Sequence, residues 1–248
     1  GDALSWSGAA RLTADVTVPA TARPWLAGQP DGTALGTGAL QDVAPDHAPP
    51  EVAGGVIVPG ETIGFDTAGL VNYTVGTNFN SADGRRSGDG EPSALYNHLL
   101  ADEHGIQDVR APVGALIGVF LDGTTPTAGD ALPPVLDFST VESRNQLTNE
   151  PELRQPFYVG NGRTRAGAVQ SYTVPAGATR LALGVMEQSN WNNNQGAFEV
   201  KVISGRDAGL TVDAGTGTVQ WTPTSVGTYR FDVTVTDDGT PPRRAQAR

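Results

Sequence analysis

Residues 11–18, RLTADVTV, alternate apolar and polar positions, the two-residue period of a strand with one buried face, and Pro19 closes the run. The same alternation returns at 197–203, AFEVKVI. Residues 114–121, GALIGVFL, are apolar almost throughout, which predicts a strand covered on both faces. Residues 52–58 and 61–67 flank Pro59-Gly60, a pair that favours a type II turn, so the two runs are expected to close as a hairpin. Residues 168–174 and 179–186, around Pro175-Ala176-Gly177, read as a second hairpin of similar design. Strands 179–186 and 197–203, joined by the loop 187–196, read as a third, and residues 70–75 as a separate short strand. One helix is expected at about 140–147, with Ser139 or Thr140 as N-cap and Glu142 in its first turn. Residues 23–50, 76–105 and 122–155 read as long connections, with Trp25 and Leu26 pinning the first to a core edge. The texture changes near 204–206, beyond which 210–213, 218–221 and 229–236 read as three strands between Gly-containing turns.

Many short strands punctuated by turns predict an all-β protein. The expected organisation is a β-sandwich over residues 9–204 and a small immunoglobulin-like β module over 205–248. Residues 1–8 are expected to supply a strand missing from that module. The composition agrees: 32 Gly and 18 Pro punctuate the chain without reaching the density of a disordered one. No apolar run of 18 residues is present, so no membrane insertion by a helix is expected. The net charge is −11 and lysine occurs once, at Lys201. Such a surface repels phosphate backbones, so nucleic acid is not expected as a partner; it suits divalent cations and neutral ligands such as sugars, and it also simply keeps a surface solvated. The absence of cysteine excludes disulfides and sulfur-ligated zinc. The first residues carry no signal-peptide pattern, and the end at PPRRAQAR reads as a piece of a longer chain.

The chemistry concentrates in the loop 187–196, EQSNWNNNQG, with four asparagines and one carboxylate between two strands. Ca²⁺ takes six to eight oxygen ligands at flexible geometry, and amide carbonyls, a carboxylate and main-chain carbonyls are suitable donors. Asn and Gly also gather in turns for conformational reasons alone, so a turn without metal is the competing reading.

Several stretches, in order, resemble the bacterial galactophilic lectins of the PA-I type. These are VPAGATRLALGV (174–185) followed by Met186 and Glu187, WNNNQGAFEV (191–200), AGLVNY (68–73), and the pairs Gly105-Ile106 and Gly114-Ala115-Leu116. Residues 16–28 look like the opening of long multi-module relatives. The resemblance covers roughly residues 11–203, with insertions at 76–103 and 122–165. It implies a galactose-binding, lectin-like sandwich that holds Ca²⁺ and a carbohydrate. Carried over by position, Glu187 supplies the carboxylate, Asn193 and Asn194 the amide oxygens, and Tyr73 and Asn190 main-chain carbonyls. Two sugar hydroxyls complete the shell, and His104 stands where a polar residue contacts the sugar. The chain departs from the family in having Glu187 where Asp is usual, one residue nearer the paired asparagines, and Asn190 where a hydroxyl residue is usual.

Other constellations carry less. His98, His104, Asp102 and Glu103 fit no metal-ligand spacing and read as solvated loop residues, as do Asp83, Asp89 and Glu91. No Gly-x-Ser-x-Gly elbow is present, and a glycosidase would need paired carboxylates across a cleft. The sequon Asn72-Tyr73-Thr74 conflicts with the role given to Tyr73 and reads as accidental. In the last segment, GLTVDAGTGTVQWTPT (209–224) and GTYRFDVTVTDDG (227–239) resemble immunoglobulin-like modules of bacterial surface proteins. That resemblance places Trp221 between sheets, and one hypothesis, which contact between Trp6 and Trp221 would support, is that the larger domain is inserted within the smaller. The functional expectation is calcium-dependent carbohydrate binding, without enzymatic activity, at the cell surface or outside the cell, with other modules of the same chain as neighbours. The rival is a structural adhesin spacer whose calcium only stiffens the Asn loop.

Overall fold

The computed structural model describes residues 4–6, 11–33, 47–74, 76–85, 94–98, 103–207, 211–212, 218–220, 233–237 and 244–247. Its regular structure is almost entirely β. Two sheets form the larger domain. One has five strands in the order β2 (Arg11–Pro19), β13 (Gln195–Asp207), β4 (Thr62–Asn72), β11 (Ser171–Thr173) and β9 (Thr148–Asn149). The other has four, in the order β10 (Phe157–Tyr158), β7 (Leu116–Leu121), β12 (Arg180–Val185) and β3 (Glu51–Ala53). Three smaller groups are β5 (Leu95–His98), β6 (Val109–Pro112) and β8 (Leu136–Asp137); β14 (Thr211–Val212) with β15 (Val219–Gln220); and β1 (Leu4–Trp6), β16 (Val233–Asp237) and β17 (Arg244–Ala247).

The alternation read from the sequence sets the layers. Along β13, Phe198, Val200 and Val202 enter the core while Glu199 and Lys201 face out. Lys201 stands in register between Asp15 on β2 and Asp66 on β4, so the single lysine separates two carboxylates on an acidic outer face. In β7 every residue is buried, as its apolar run requires. The core between the sheets joins Phe65, Phe120, Phe157, Tyr172, Leu181 and Phe198 in one cluster. Trp25 and Leu26 sit in a short 3-10 turn, Pro24–Leu26, and are fully buried, so they anchor their loop inside the core and not merely at its edge.

None of the three expected hairpins forms. The β3 strand joins the four-stranded sheet and β4 the five-stranded one; β11 and β12 are divided in the same way, and so are β12 and β13. The turns themselves exist: Glu61 N–H donates to Val58 O and Gly60 has φ +82°, while Ala178 N–H donates to Pro175 O and Gly177 has φ +83°. A turn residue fixes a reversal of direction but not the sheet in which the outgoing strand pairs. Here each reversal is a corner that carries the chain across the core, and Val56 and Ile57 are buried on the way. Residues 61–67 and 70–75 are likewise not two strands; β4 runs unbroken from Thr62 to Asn72, with Gly69 at φ +95°. The helix is a single turn, Val141–Arg144, capped by the Thr140 side chain accepting from Ser143 N–H.

Candidate functional site

The corner between β12 and β13 carries the Asn-rich loop. At its start, Gly114 N–H donates to Met186 O (2.7 Å) and Met186 N–H to Ala115 O (2.8 Å), which fixes where Glu187 leaves the sheet. Asn190 adopts φ +66°, a left-handed conformation that Asn tolerates, and opens a 3-10 turn over Trp191–Asn193. Trp191 is fully buried and donates from Nε1 to Val185 O at 2.8 Å, nailing the turn to the strand before it. The turn closes as Asn193 N–H donates to Asn190 O and Asn194 N–H to Trp191 O. Gly196, at φ +90°, then lets β13 approach β4; a Cβ there would lie 2.3 Å from Leu70 O.

The structure brings most of the expected ligand residues to this corner. Glu187 is buried, and its Oε2 accepts from Asn194 Nδ2 at 2.7 Å; the same nitrogen also donates to Ala20 O at 3.0 Å. With its NH₂ group committed in that way, Asn194 leaves its Oδ1 buried without a hydrogen bond among the described residues, and Asn193 Oδ1 is in the same condition. Gln195 is the register partner of Asn72, so Tyr73 leaves β4 level with Asn194. The Asn190 carbonyl accepts from Asn193 N–H. Unmet buried carbonyls cost about 1–3 kcal/mol each, and a hard cation is the partner that several of them can share. These donors fit Ca²⁺: all are oxygens and one is a carboxylate. Among the described residues, no group of three or more His, Cys, Asp or Glu is placed to hold a metal, so a cation at this corner would depend on amide and carbonyl oxygens.

His104 is half-buried at φ +52° in a turn closed by Ile106 N–H donating to Glu103 O. That turn connects to the Asn loop through a cluster the sequence reading missed. Arg23, fully buried, donates to Glu103 Oε1 (2.6 Å) and Oε2 (2.5 Å) and lies 4.7 Å from the centroid of the Trp191 ring. His98 sits between two carboxylates, Nε2 at 3.2 Å from Glu103 and Nδ1 at 3.1 Å from Asp108, and stacks on Trp25 with ring centroids 3.4 Å apart. Burial pushes the Glu103 carboxyl up, but the His98 hydrogen bond and the Arg23 charge outweigh it and hold the pKa at about 2. His98 and Glu103 are therefore interior network residues and not solvated loop residues; Asp102 lies outside the described residues. A signal was available: His98 ends the apolar-containing run 95–98, which forms a strand within the segment read as polar loop.

Asp83 is also engaged, with Oδ1 accepting from Tyr158 OH (3.0 Å) and Asn161 N–H (2.9 Å); burial and this negative neighbour push the Tyr158 hydroxyl up. Asp89 and Glu91 lie outside the described residues. Asn72 is fully buried, with Nδ2 donating to Gly76 O and Oδ1 accepting from Thr74 N–H, so the sequon offers no accessible acceptor. Asn80, another residue the sequence reading passed over, bridges Val71 and leaves its buried Oδ1 without a hydrogen bond among the described residues.

Beyond residue 207 the chain forms β14 with β15 and the antiparallel pair β16–β17, with Val233 opposite Ala247 and Thr236 opposite Arg244. The last strand, β17, falls in a stretch read from the sequence only as an ending. Residues 207–245 match a family model described as "Putative Ig domain". The matched segment lies C-terminal to the Asn corner and covers a minor part of the chain. No curated protein and no solved structure matches the chain. Trp221, expected between sheets of the module, lies outside the described residues. Among the described residues no helix is long and apolar enough to cross a membrane.

Proposed function

We propose that the larger sandwich is a calcium-dependent carbohydrate-binding module and that it works at the cell surface or outside the cell, carried beside an immunoglobulin-like module. The observation that carries this reading is the pair of buried amide oxygens, Asn193 Oδ1 and Asn194 Oδ1, that accept no hydrogen bond among the described residues, beside the buried Glu187 carboxylate. Tyr73, level with Asn194, and Asn190 are the residues whose main-chain carbonyls would complete the protein's share of the shell. His104 is the polar neighbour proposed for the sugar. Ca²⁺, when bound, supplies a polarising centre to which neutral hydroxyls can coordinate without a charged partner. With one carboxylate and otherwise neutral donors, affinity for the ion falls in the weak extracellular range, roughly 10⁻⁴–10⁻³ M.

A structural spacer is the second reading, and the low exposure of Glu187 and Asn194, 7% and 8%, favours it, since deeply set ligands can stiffen a corner without presenting an ion to solvent. Calcium titration calorimetry followed by a glycan array with and without EDTA separates the two. Glycan binding that requires calcium and disappears in Asn193→Ala supports the lectin reading. Calcium that raises Tm while no glycan binds supports the spacer. No calcium uptake at millimolar concentration overturns the lectin reading and leaves the spacer without a metal.

A further inference from the structure

We propose that β1 is a constituent strand of the immunoglobulin-like module, so that the module is assembled from both ends of the described chain and the carbohydrate-binding sandwich is inserted within it. Leu4, Ser5 and Trp6 pair antiparallel with Asp237, Thr236 and Val235, and β16 in turn pairs with β17. This three-stranded sheet therefore takes one strand from before the sandwich and two from after it. The sandwich itself begins and ends at one place: Arg11, the first residue of β2, is the register partner of Asp207, the last of β13. A domain whose entering and leaving strands are neighbours can be placed inside another fold without stretching either. The family match begins at the same residue 207 where the sandwich's last strand stops, and it does not reach the N-terminal strand.

The physical need for β1 is the edge of β16. Without a partner on that side, β16 would present a row of free N–H and C=O groups, a template for pairing with other chains. An immunoglobulin-like sandwich is built from about seven strands, and β1 joins β14, β15, β16 and β17 among the described residues as a candidate member. The consequence is a double connection. The sandwich is joined to the module through the segment before Arg11 and again through the segment after Asp207, and both connections must strain together if the two parts are pulled or twisted. A sandwich merely preceding the module would turn on a single linker.

The cysteine-free background allows a direct test in the full chain. Two variants place cysteines in register: Ser5→Cys with Thr236→Cys, and Trp6→Cys with Val235→Cys. Opposite residues in an antiparallel pair alternate between Cα separations of about 5.5 Å and about 4.5 Å, both within the span of a disulfide, so adjacent pairs sample both spacings. The control, Ser5→Cys with Arg244→Cys, lies two strands apart, at roughly twice the strand spacing of about 4.8 Å, and cannot bridge. Mild oxidation is expected to close at least one in-register pair within a single chain and not the control, as read by peptide mass spectrometry. In a chain lacking residues 1–8, hydrogen exchange at 233–237 is expected to accelerate by roughly tenfold or more, with 198–202 as the internal reference. Failure of both pairs, bridging only between two chains, or unchanged protection at 233–237 overturns the proposal. None of these outcomes depends on whether the sandwich binds sugar.

Discussion

Replacing Arg23 by Met removes the guanidinium while keeping most of the stem. Arg23 is fully buried and makes two short bonds to Glu103, whose side chain is only 3% exposed, while its charge also faces the Trp191 ring. Breaking a buried pair by deleting one partner leaves an uncompensated charge and costs about 3–5 kcal/mol. For a domain of this size that corresponds to a fall in Tm of about 6–20 °C. The pH dependence gives an independent check. Glu103 has a folded pKa of about 2 against an ordinary 4.5, a difference worth about 3 kcal/mol. Between those values the unfolded chain takes up a proton that the folded one refuses. The stabilisation is therefore complete above pH 4.5 and is lost as the pH falls toward 2. In Arg23→Met the carboxyl pKa rises, so this acid-dependent part shrinks. Urea unfolding followed by tryptophan fluorescence at pH 7, 4.5 and 3 reads both effects, because Trp25 and Trp191 line the cluster. A stability loss below about 1 kcal/mol at pH 7, or an acid slope equal to that of the parent, would refute the reasoning.

Asn194→Ala is expected to destabilise the calcium-free protein by about 2–4 kcal/mol, since it strips bonds from Glu187 and Ala20 O, whereas Asn193→Ala should leave the calcium-free Tm nearly unchanged and abolish its rise with calcium. Thermal melts with and without calcium check both. Gly196→Ala, at φ +90° and with its new Cβ 2.3 Å from Leu70 O, is expected to cost more than about 1–3 kcal/mol and to weaken calcium uptake by spreading β13 from β4; chemical denaturation and calorimetry would report it. Expression in a glycosylating host should yield a chain carrying no glycan at Asn72, as intact mass would record, because both polar atoms of its amide are engaged inside the fold.

How far the sequence reaches can be judged residue by residue. The alternation at 197–203 located β13, because a strand with one wet face writes its period directly into the chain. The run 114–121 announced a doubly covered strand because unbroken apolarity leaves no face for water. Partnership was not legible. Pro59-Gly60 and Pro175-Ala176-Gly177 encode local reversals, and the same dihedrals serve a hairpin or a corner between sheets; long-range packing decides which. At the candidate site, the types and order of Glu187, Asn193 and Asn194 drew attention to the corner, and the resemblance to a lectin family drew in Tyr73. The Arg23–Glu103–His98–Asp108 cluster escaped because its members are separated by up to 85 positions and each, taken alone, is a residue type usually found in water. Only the fold brings the charges together and so makes their burial tolerable.

The place of β13, between β2 and β4, has a consequence for how the molecule comes into being. Val18 must wait for Phe198 and Gly69 for the same residue, so the two flanking strands leave the ribosome with their hydrogen-bonding edges open and stay so until the domain's final strand is made. Closures over such distances are slow, and no disulfide can hold a partial product in place meanwhile. A chain interrupted before residue 195 would carry β2 without its sheet partner and β4 with one edge open. Aggregation of nascent or truncated chains, more than loss of the finished fold, is the hazard that this topology builds in.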